Sequence, residues 1–360
     1  MRTELTRGHA AVAIPAGPAN EVELDELLSR PRAETIEALE GCTGDVVVLG
    51  AGGKMGPTLT RLVARAAAEA DQRAGRAARR LTAVSRFSSD AARHALEDAG
   101  VRTVACDLLD RHAVARLPDA ANVFFMAGQK FGTADAPAMT WAMNTIVPAI
   151  CAERYAGARV VAFSTGNVYP LTPVVRGGAC ESDLVGPVGE YAASCVGRER
   201  IFELAAERDG TRVALVRLNY AIDLRYGVLT DLAAKVLRGE AVDLRMGHVN
   251  VIWQGDANRI AVECLPHAGV PPFVVNVTGS EVLSVRELAT RLGVHLGRSP
   301  VFTGEEAADA LLSHTGRMAS LFARPEVSLD WMLAWVAAWV RDGRPLLGRP
   351  THFEERAGRF

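Results

Sequence analysis

Seven short runs of β-branched and apolar residues, DVVVLG, LTAVS, RTVAC, NVFFMAG, ARVVAFST, RVALVRL and FVVNVTG, recur from residue 45 to residue 279. The chain between them is Ala/Arg/Leu-rich with helical spacing, including the stretch ARAAAEADQRAGRAARR, which reads as a helix, a glycine break and a solvated face. A strand that feeds a helix and then another strand must lie parallel to it, and a sheet built this way is covered by helices on both faces. The predicted fold class is therefore α/β, with a parallel sheet at its centre.

The flanks of that pattern differ from it. Residues 1–44 form an N-terminal extension, polar at first and then helical in spacing, interrupted at Pro31 and packed outside the sheet. The strand-helix rhythm runs from 45 to 218 and then loosens, so 219–360 reads as a smaller lobe with a segment at about 248–278 returning to the first domain. Trp331, Trp335 and Trp339 recur every four residues near the C-terminal end, a stripe suited to core packing or a subunit contact.

Composition narrows the function classes. A net charge of -2 over 360 residues, without a run of like charge, gives no electrostatic basis for nucleic acid or an acidic membrane surface. Six cysteines at irregular intervals, with no C-x-x-C, argue against a zinc site or a disulfide framework, so no metal is expected and the thiols are read as reduced. No apolar run has the length of a membrane span and the start lacks a signal-type apolar region, which predicts a cytoplasmic protein. Of 40 basic residues only Lys54, Lys130 and Lys235 are lysines, which leaves 37 arginines.

Two of those lysines lie in glycine turns. VVVLGAGGKMGPTLTRL is a strand, a turn and a helix opening with Pro57, and its Gly50, Gly52, Gly53 and Gly56 surround Lys54 and Met55. Glycines allow the sharp turn and a close approach of the backbone, while the free N–H groups of a helix start attract a pyrophosphate. These residues are the candidate dinucleotide site. At the end of the next run stand Ser85 and Arg86 with no acid before Asp90. A basic side chain there accommodates a 2′-phosphate, so the cofactor is NAD or NADP with NADP favoured.

Taken together the motifs resemble the extended short-chain dehydrogenase/reductase family, in its sugar epimerase/dehydratase branch, over roughly residues 45–265. CDLLD, with Asp107 and Leu108, looks like the family's element beside the adenine, and FFMAGQKFG, with Ala127, Gly128 and Lys130, is similar to the turn after its fourth strand. Asn144 fits its helix asparagine. FSTGNVYP resembles the strand end that carries the Ser/Thr, placing Thr165 four residues before Tyr169 with Ser164 beside it, and ESDLVGPVGEYAASC supplies Glu181, Pro187, Tyr191 and Ser194 in the family's order. RLNYAIDLRYG, with Asn219 and Tyr220, resembles the substrate lobe more loosely, and Asn167 is a further substrate candidate. GRPTHFEERAGRF resembles nothing assignable. The resemblance implies a Rossmann-type doubly wound parallel sheet with a smaller C-terminal substrate lobe, a homodimer, and oxidation of a hydroxyl on a sugar-like substrate through a transient ketone.

It also implies a tyrosine base, Tyr191, a hydroxyl that steadies the same substrate oxygen, Thr165, and a lysine four residues after the tyrosine. Cys195 stands in that place. A thiol is neutral at pH 7, and a thiolate would raise the tyrosine pKa. A unit positive charge lost at ~5 Å forgoes about 3 kcal/mol at an effective dielectric of ~20, or about two pKa units. Lys130, Lys54, Arg198 seven residues along the same helix, and the charge of the oxidised nicotinamide are the candidate replacements, Lys130 first; for Arg198 a surface salt bridge is an equal reading. The reading favoured is an epimerase- or dehydratase-type enzyme. A reductase or dehydrogenase of a sugar-like alcohol, a silent dinucleotide-binding protein, and a site in which Cys195 is itself the acid/base remain alternatives.

Overall fold

The computed structural model of the chain describes residues 14–132 and 135–359; the first thirteen residues of the extension lie outside the described residues. The seven apolar runs form one sheet of β1 (Val46–Leu49), β2 (Leu81–Ser85), β3 (Arg102–Ala105), β4 (Asn122–Phe125), β5 (Arg159–Thr165), β6 (Arg212–Leu218) and β7 (Phe273–Val277). All run parallel, in the order β3-β2-β1-β4-β5-β6-β7. The winding reverses between β1 and β4, and in a sheet of this kind the crevice beyond the C-terminal strand ends at that reversal is where a ligand is received. This is the doubly wound α/β architecture.

Alternate residues of these strands enter different cores. Val46, Val48, Phe124, Val161 and Val216 face one apolar layer, while Val47, Leu49, Phe125, Val160 and Leu215 face the other. The first layer is closed by the helices Gly56–Arg73 and Gln254–Glu263 and, from the N-terminal extension, by Ile36 and Leu39 of the helix Ala33–Gly41. The second is closed by Val147–Arg154 and Gly189–Asp209, through residues such as Cys151 and Phe202. A strand buried on both faces has no polar alternation, which is why β1 and β4 read as unbroken apolar runs.

Beyond β6 the helices Val228–Arg238, Val285–Leu296 and Leu329–Arg341 build a second core. Trp335 and Trp339 lie within it, Trp335 at 5.8 Å from Trp253, so the tryptophan stripe is core packing. The wholly buried helix Gln254–Glu263 joins the two halves: Gln254 Nε2 and Asn258 Nδ2 each donate at 3.1 Å to Thr58 Oγ1 on the helix that follows the glycine turn.

Between β5, β6 and the helix Gly189–Asp209 runs a buried polar network. Glu199 accepts from Arg217 at 3.0 and 2.7 Å and from the Ser164 hydroxyl at 2.5 Å. Arg217 donates to the Tyr169 hydroxyl at 2.7 Å, which donates to Asn276 Oδ1 of β7 at 2.9 Å. The backbone N–H of Asn276 donates to Glu181 at 2.9 Å, so three sheet strands and the loop before the long helix are fixed by one chain of bonds. Removing one member of such a pair leaves the other charge buried and uncompensated. Glu199→Ala is expected to lower stability by about 3–5 kcal/mol in urea unfolding, whereas Glu240→Ala, in the exposed pair with Arg238, is expected to change it by about 0–1 kcal/mol.

Candidate active site

The glycine turn leaves β1 with Gly50 at φ +89°. A side chain at Gly50 would come within 2.7 Å of the Ala127 backbone nitrogen, and one at Gly56 within 2.4 Å of the Ala51 oxygen, so both positions require glycine. The helix that follows starts at Gly56, has Pro57 in its first turn and carries no side-chain cap. Its first N–H groups are thus not engaged by a capping side chain, and Gly50, Gly52, Gly53 and Gly56 bring bare backbone to the wall of a cleft of about 610 Å³. A backbone this close and a helix end of this polarity fit a dinucleotide pyrophosphate.

Tyr191 rises from the first turn of the helix Gly189–Asp209, half-buried, and lines the cleft together with Thr165 at the end of β5, one helical turn before Cys195. Thr165 caps the short turn Gly166–Val168, its hydroxyl accepting from the Asn167 N–H at 3.2 Å and donating to Asn167 Oδ1 at 3.0 Å. Burial pushes the Tyr191 phenol well above its ordinary value and Cys195 adds to the rise, while Arg198 and the Thr165 hydroxyl oppose it. Cys195 is fully buried, and burial also pushes its thiol up, against the pull of Arg198 and the Tyr191 hydroxyl. Burial thus favours the neutral form of both the Cys195 thiol and the Tyr191 phenol.

Arg198 is not a surface ion-pair residue. It is buried, it donates to the Phe163 carbonyl at 2.8 Å and to Asn144 Oδ1 at 2.5 Å, and its charge is felt by both Tyr191 and Cys195. Asn144, fully buried on the helical turn Ala142–Ile146, accepts from the Gln129 N–H at 2.9 Å and donates to the Gln129 carbonyl at 3.0 Å and to Ser194 Oγ at 2.9 Å. A side chain at Gly128 would meet Arg198 Nη2 at 2.4 Å, so the glycine there makes room for this arrangement.

The turn so fixed carries Lys130 into the cleft wall, with its ammonium 5.9 Å from the Phe131 ring centroid. Burial holds Lys130 down to about 8, against the pull of Cys195 and Asp231. Lys54 is held down to about 8 by the same cause, with Asp223 opposing and Arg225 and Lys130 adding to the fall. Its ammonium donates to the Ala221 carbonyl at 3.3 Å and lies 4.4 Å over the Tyr226 ring.

Of the residues singled out from the sequence, Tyr191, Thr165, Ser164, Lys130, Asn167, Asn219 and Tyr220 share this cleft with the glycine turn, Lys54 and Met55. Ser164 is on the wall, but its hydroxyl is committed to Glu199. Asn144 and Gly128 do not reach the cleft; they position its Lys130 turn. Ala127 is buried beneath Gly50, and Ser85 packs its hydroxyl against Gly52. Arg86 and Asp107 are exposed and Leu108 is buried, all outside the cleft wall. Sequence reasoning missed Ser88, Tyr226 and the tail residues Leu347, Arg349 and Thr351, which also line it. Tyr226 lies in the segment already matched to the lobe; the tail carries no local motif.

A doubly wound sheet whose glycine turn shares a cleft with Tyr191 and Thr165 defines a dinucleotide-dependent oxidoreductase site. The family model described as NAD dependent epimerase/dehydratase matches residues 46–259, and the chain belongs to that family. No curated protein matches it by sequence. Among solved structures it is similar to MoeE5 in complex with UDP-glucose and NAD, at 21% identity and a TM-score of 0.65, covering 83% of this chain and 99% of that one. The UDP-Glc/GlcNAc 4-epimerase of Campylobacter jejuni is 18% identical with a TM-score of 0.68, over 84% and 100% of the two chains. DesIV, a dTDP-glucose 4,6-dehydratase of Streptomyces venezuelae with NAD bound, is 20% identical with a TM-score of 0.67, over 82% and 97%.

Gly50→Ala is expected to raise the dissociation constant for NAD by about tenfold or more, since both the positive φ and the contact with Ala127 resist a side chain. Fluorescence titration with NADH, alongside circular dichroism to confirm folding, measures it.

Proposed function

We propose that the chain oxidises a hydroxyl of a sugar or nucleotide sugar to a transient ketone, as an epimerase or dehydratase does. The observation that carries this reading is the placement of Tyr191 and Thr165 in the same cleft as the glycine turn. Nucleotide-sugar ligands in similar structures such as MoeE5 support the substrate class. The glycine turn and the start of the helix Gly56–Arg73 would hold the dinucleotide, which supplies the oxidising equivalent when bound.

Tyr191 takes the proton of the substrate hydroxyl, and Thr165 holds the same oxygen. Two cations stand in for the lysine absent at 195. Arg198, fixed by Asn144 and the Phe163 carbonyl, is a permanent charge beneath Tyr191, and Lys130 is a titratable one on the cleft wall. Both favour the phenolate that proton removal requires. Cys195 contributes a neutral thiol.

Arg86 lies exposed on the turn after β2, beside Ser85, which supports NADP over NAD. The exposed apolar residues Met139, Trp141, Ile146 and Leu204, on the helices around Asn144 and Tyr191, support a homodimer through that face. Among the described residues no helix is long and apolar enough to cross a membrane, which is compatible with a cytoplasmic enzyme.

Turnover on a panel of nucleotide sugars and free sugars, followed by loss or return of nicotinamide absorbance, tests the reading. Tyr191→Phe is expected to lower kcat by about 10²–10⁴-fold with NAD affinity unchanged, and Cys195→Ala to leave turnover nearly intact. Because Lys130 is charged only below about pH 8, the wild-type rate should fall as pH rises through that value. Lys130→Arg keeps its charge and should move that fall upward by about one unit or more; an unmoved profile would exclude Lys130 as the titrating cation. Arg86→Ala is expected to weaken NADP about tenfold and to leave NAD unaffected.

A further inference from the structure

The ionisable groups on the cleft wall are all of one kind or neutral. Lys54, Lys130 and Arg349 line it together with three tyrosines, and among the described residues no Asp or Glu does. Three cations in one concave site repel one another, and low-dielectric walls strengthen the field they project. Both lysines sit in the turns that border the dinucleotide site, whereas Arg349 comes from the tail, where its charge is felt by Tyr226.

The tail is tied down on both sides of Arg349. Before it, Trp339 Nε1 donates to the Pro345 carbonyl at 2.9 Å and the Leu347 N–H donates to the Arg225 carbonyl at 3.0 Å. After it, the backbone N–H and the hydroxyl of Thr351 donate to Asp231 at 2.7 and 2.6 Å, and Phe353 is buried in the lobe core. Lys235 pairs with Glu354 at 3.0 Å, and Arg356 donates to the Arg245 and Asp309 carbonyls at 3.0 Å each. The neighbouring tail arginines, Arg344 and Arg356, are thus bonded to protein, Arg344 to the Pro18 carbonyl at 2.7 Å. Arg349 is exposed to the cleft and makes no hydrogen bond or ion pair of its own among the described residues.

We infer that the tail from Leu347 to Thr351 is one wall of the substrate subsite and that Arg349 binds an anionic group of the substrate, a carboxylate or a phosphoryl oxygen. The inference rests on the proposed reading of the cleft as a dinucleotide-dependent active site and adds the charge of what enters it. A guanidinium presented on an anchored backbone is pre-organised for a two-pronged contact with either group. The bonds to Asp231 and Arg225 do that positioning, because they hold the backbone on each side without engaging the guanidinium.

Isothermal titration of the NAD-loaded protein with UDP, glucuronate and methyl glucoside, on the wild type, Arg349→Gln and Arg349→Lys, tests it. The wild type should bind at least one of the two anions more tightly than the neutral glucoside. Arg349→Gln should weaken that anion about tenfold or more, Arg349→Lys should weaken it less, and NAD affinity should be the same in all three. An effect on UDP assigns a phosphoryl group, and one on glucuronate a carboxylate. Equal anion binding by Arg349→Gln, or an NAD-loaded wild type that takes neither anion, overturns the inference while leaving the dinucleotide reading in place. A wild type that does not bind NAD overturns that reading, and the inference with it.

Discussion

The site depends on one buried contact, the pair of Arg198 and Asn144. Asn144 holds the backbone of Gln129 from both its N–H and its carbonyl, and it receives Arg198 and donates to Ser194 on the helix that bears Tyr191. Four hydrogen bonds from one amide side chain therefore join the turn after β4, the helical segment around residue 144 and the helix Gly189–Asp209. A primary amide can satisfy all its donor and acceptor capacity this way, which makes it suited to a fully buried junction. Gly128 and Lys130 take their places because this junction fixes the loop between them.

The same junction decides the electrostatics. A guanidinium buried without a carboxylate partner is costly, and here, among the described residues, its charge is met by the Phe163 carbonyl, the Asn144 oxygen and the Phe125 ring 6.0 Å away. That cost is what a site missing its lysine would incur to keep a cation near a phenol. Burial raises Tyr191 and Cys195 alike, so residue 195 as a thiol adds no positive charge and no competing base. The buried Glu199–Arg217 pair organises β5, β6 and the loop before the helix Gly189–Asp209, and the Glu199 charge also helps to push the Cys195 thiol up.

Much of the scaffold was legible because it is local. Each of the seven strands is an apolar run bounded by turn residues, and the alternation with helices leaves few ways to connect them. The glycine turn was readable since backbone approach demands glycine at Gly50 and Gly56, whereas Tyr191 and Thr165 were picked out only by the resemblance of their motifs to the family, and the structure places them in one cleft. What stayed hidden depends on distant partners. Arg198 was a candidate replacement charge from its position seven residues from Tyr191 on one helix face, but the sequence could not separate that from a surface salt bridge, because its bonds to Phe163 and Asn144 lie 35 and 54 residues away. Ser164 could not be separated from Thr165, because its commitment to Glu199 is a contact across 35 residues. The tail was illegible because its course is set by bonds to Asp231 and Arg225, both far from Arg349 in sequence.

The central claim is that Tyr191 is activated by positive charge from Arg198 and the Lys130 turn, not by residue 195. Its most direct test is the titration of Tyr191 itself, followed by NMR of ring-labelled tyrosine in the dinucleotide-bound protein, for the wild type, Arg198→Met and Cys195→Ala. The account predicts that Arg198→Met raises the Tyr191 pKa by about one to two units, while Cys195→Ala lowers it slightly or leaves it in place. A Tyr191 titration unmoved by Arg198→Met, or displaced upward by Cys195→Ala, would contradict it.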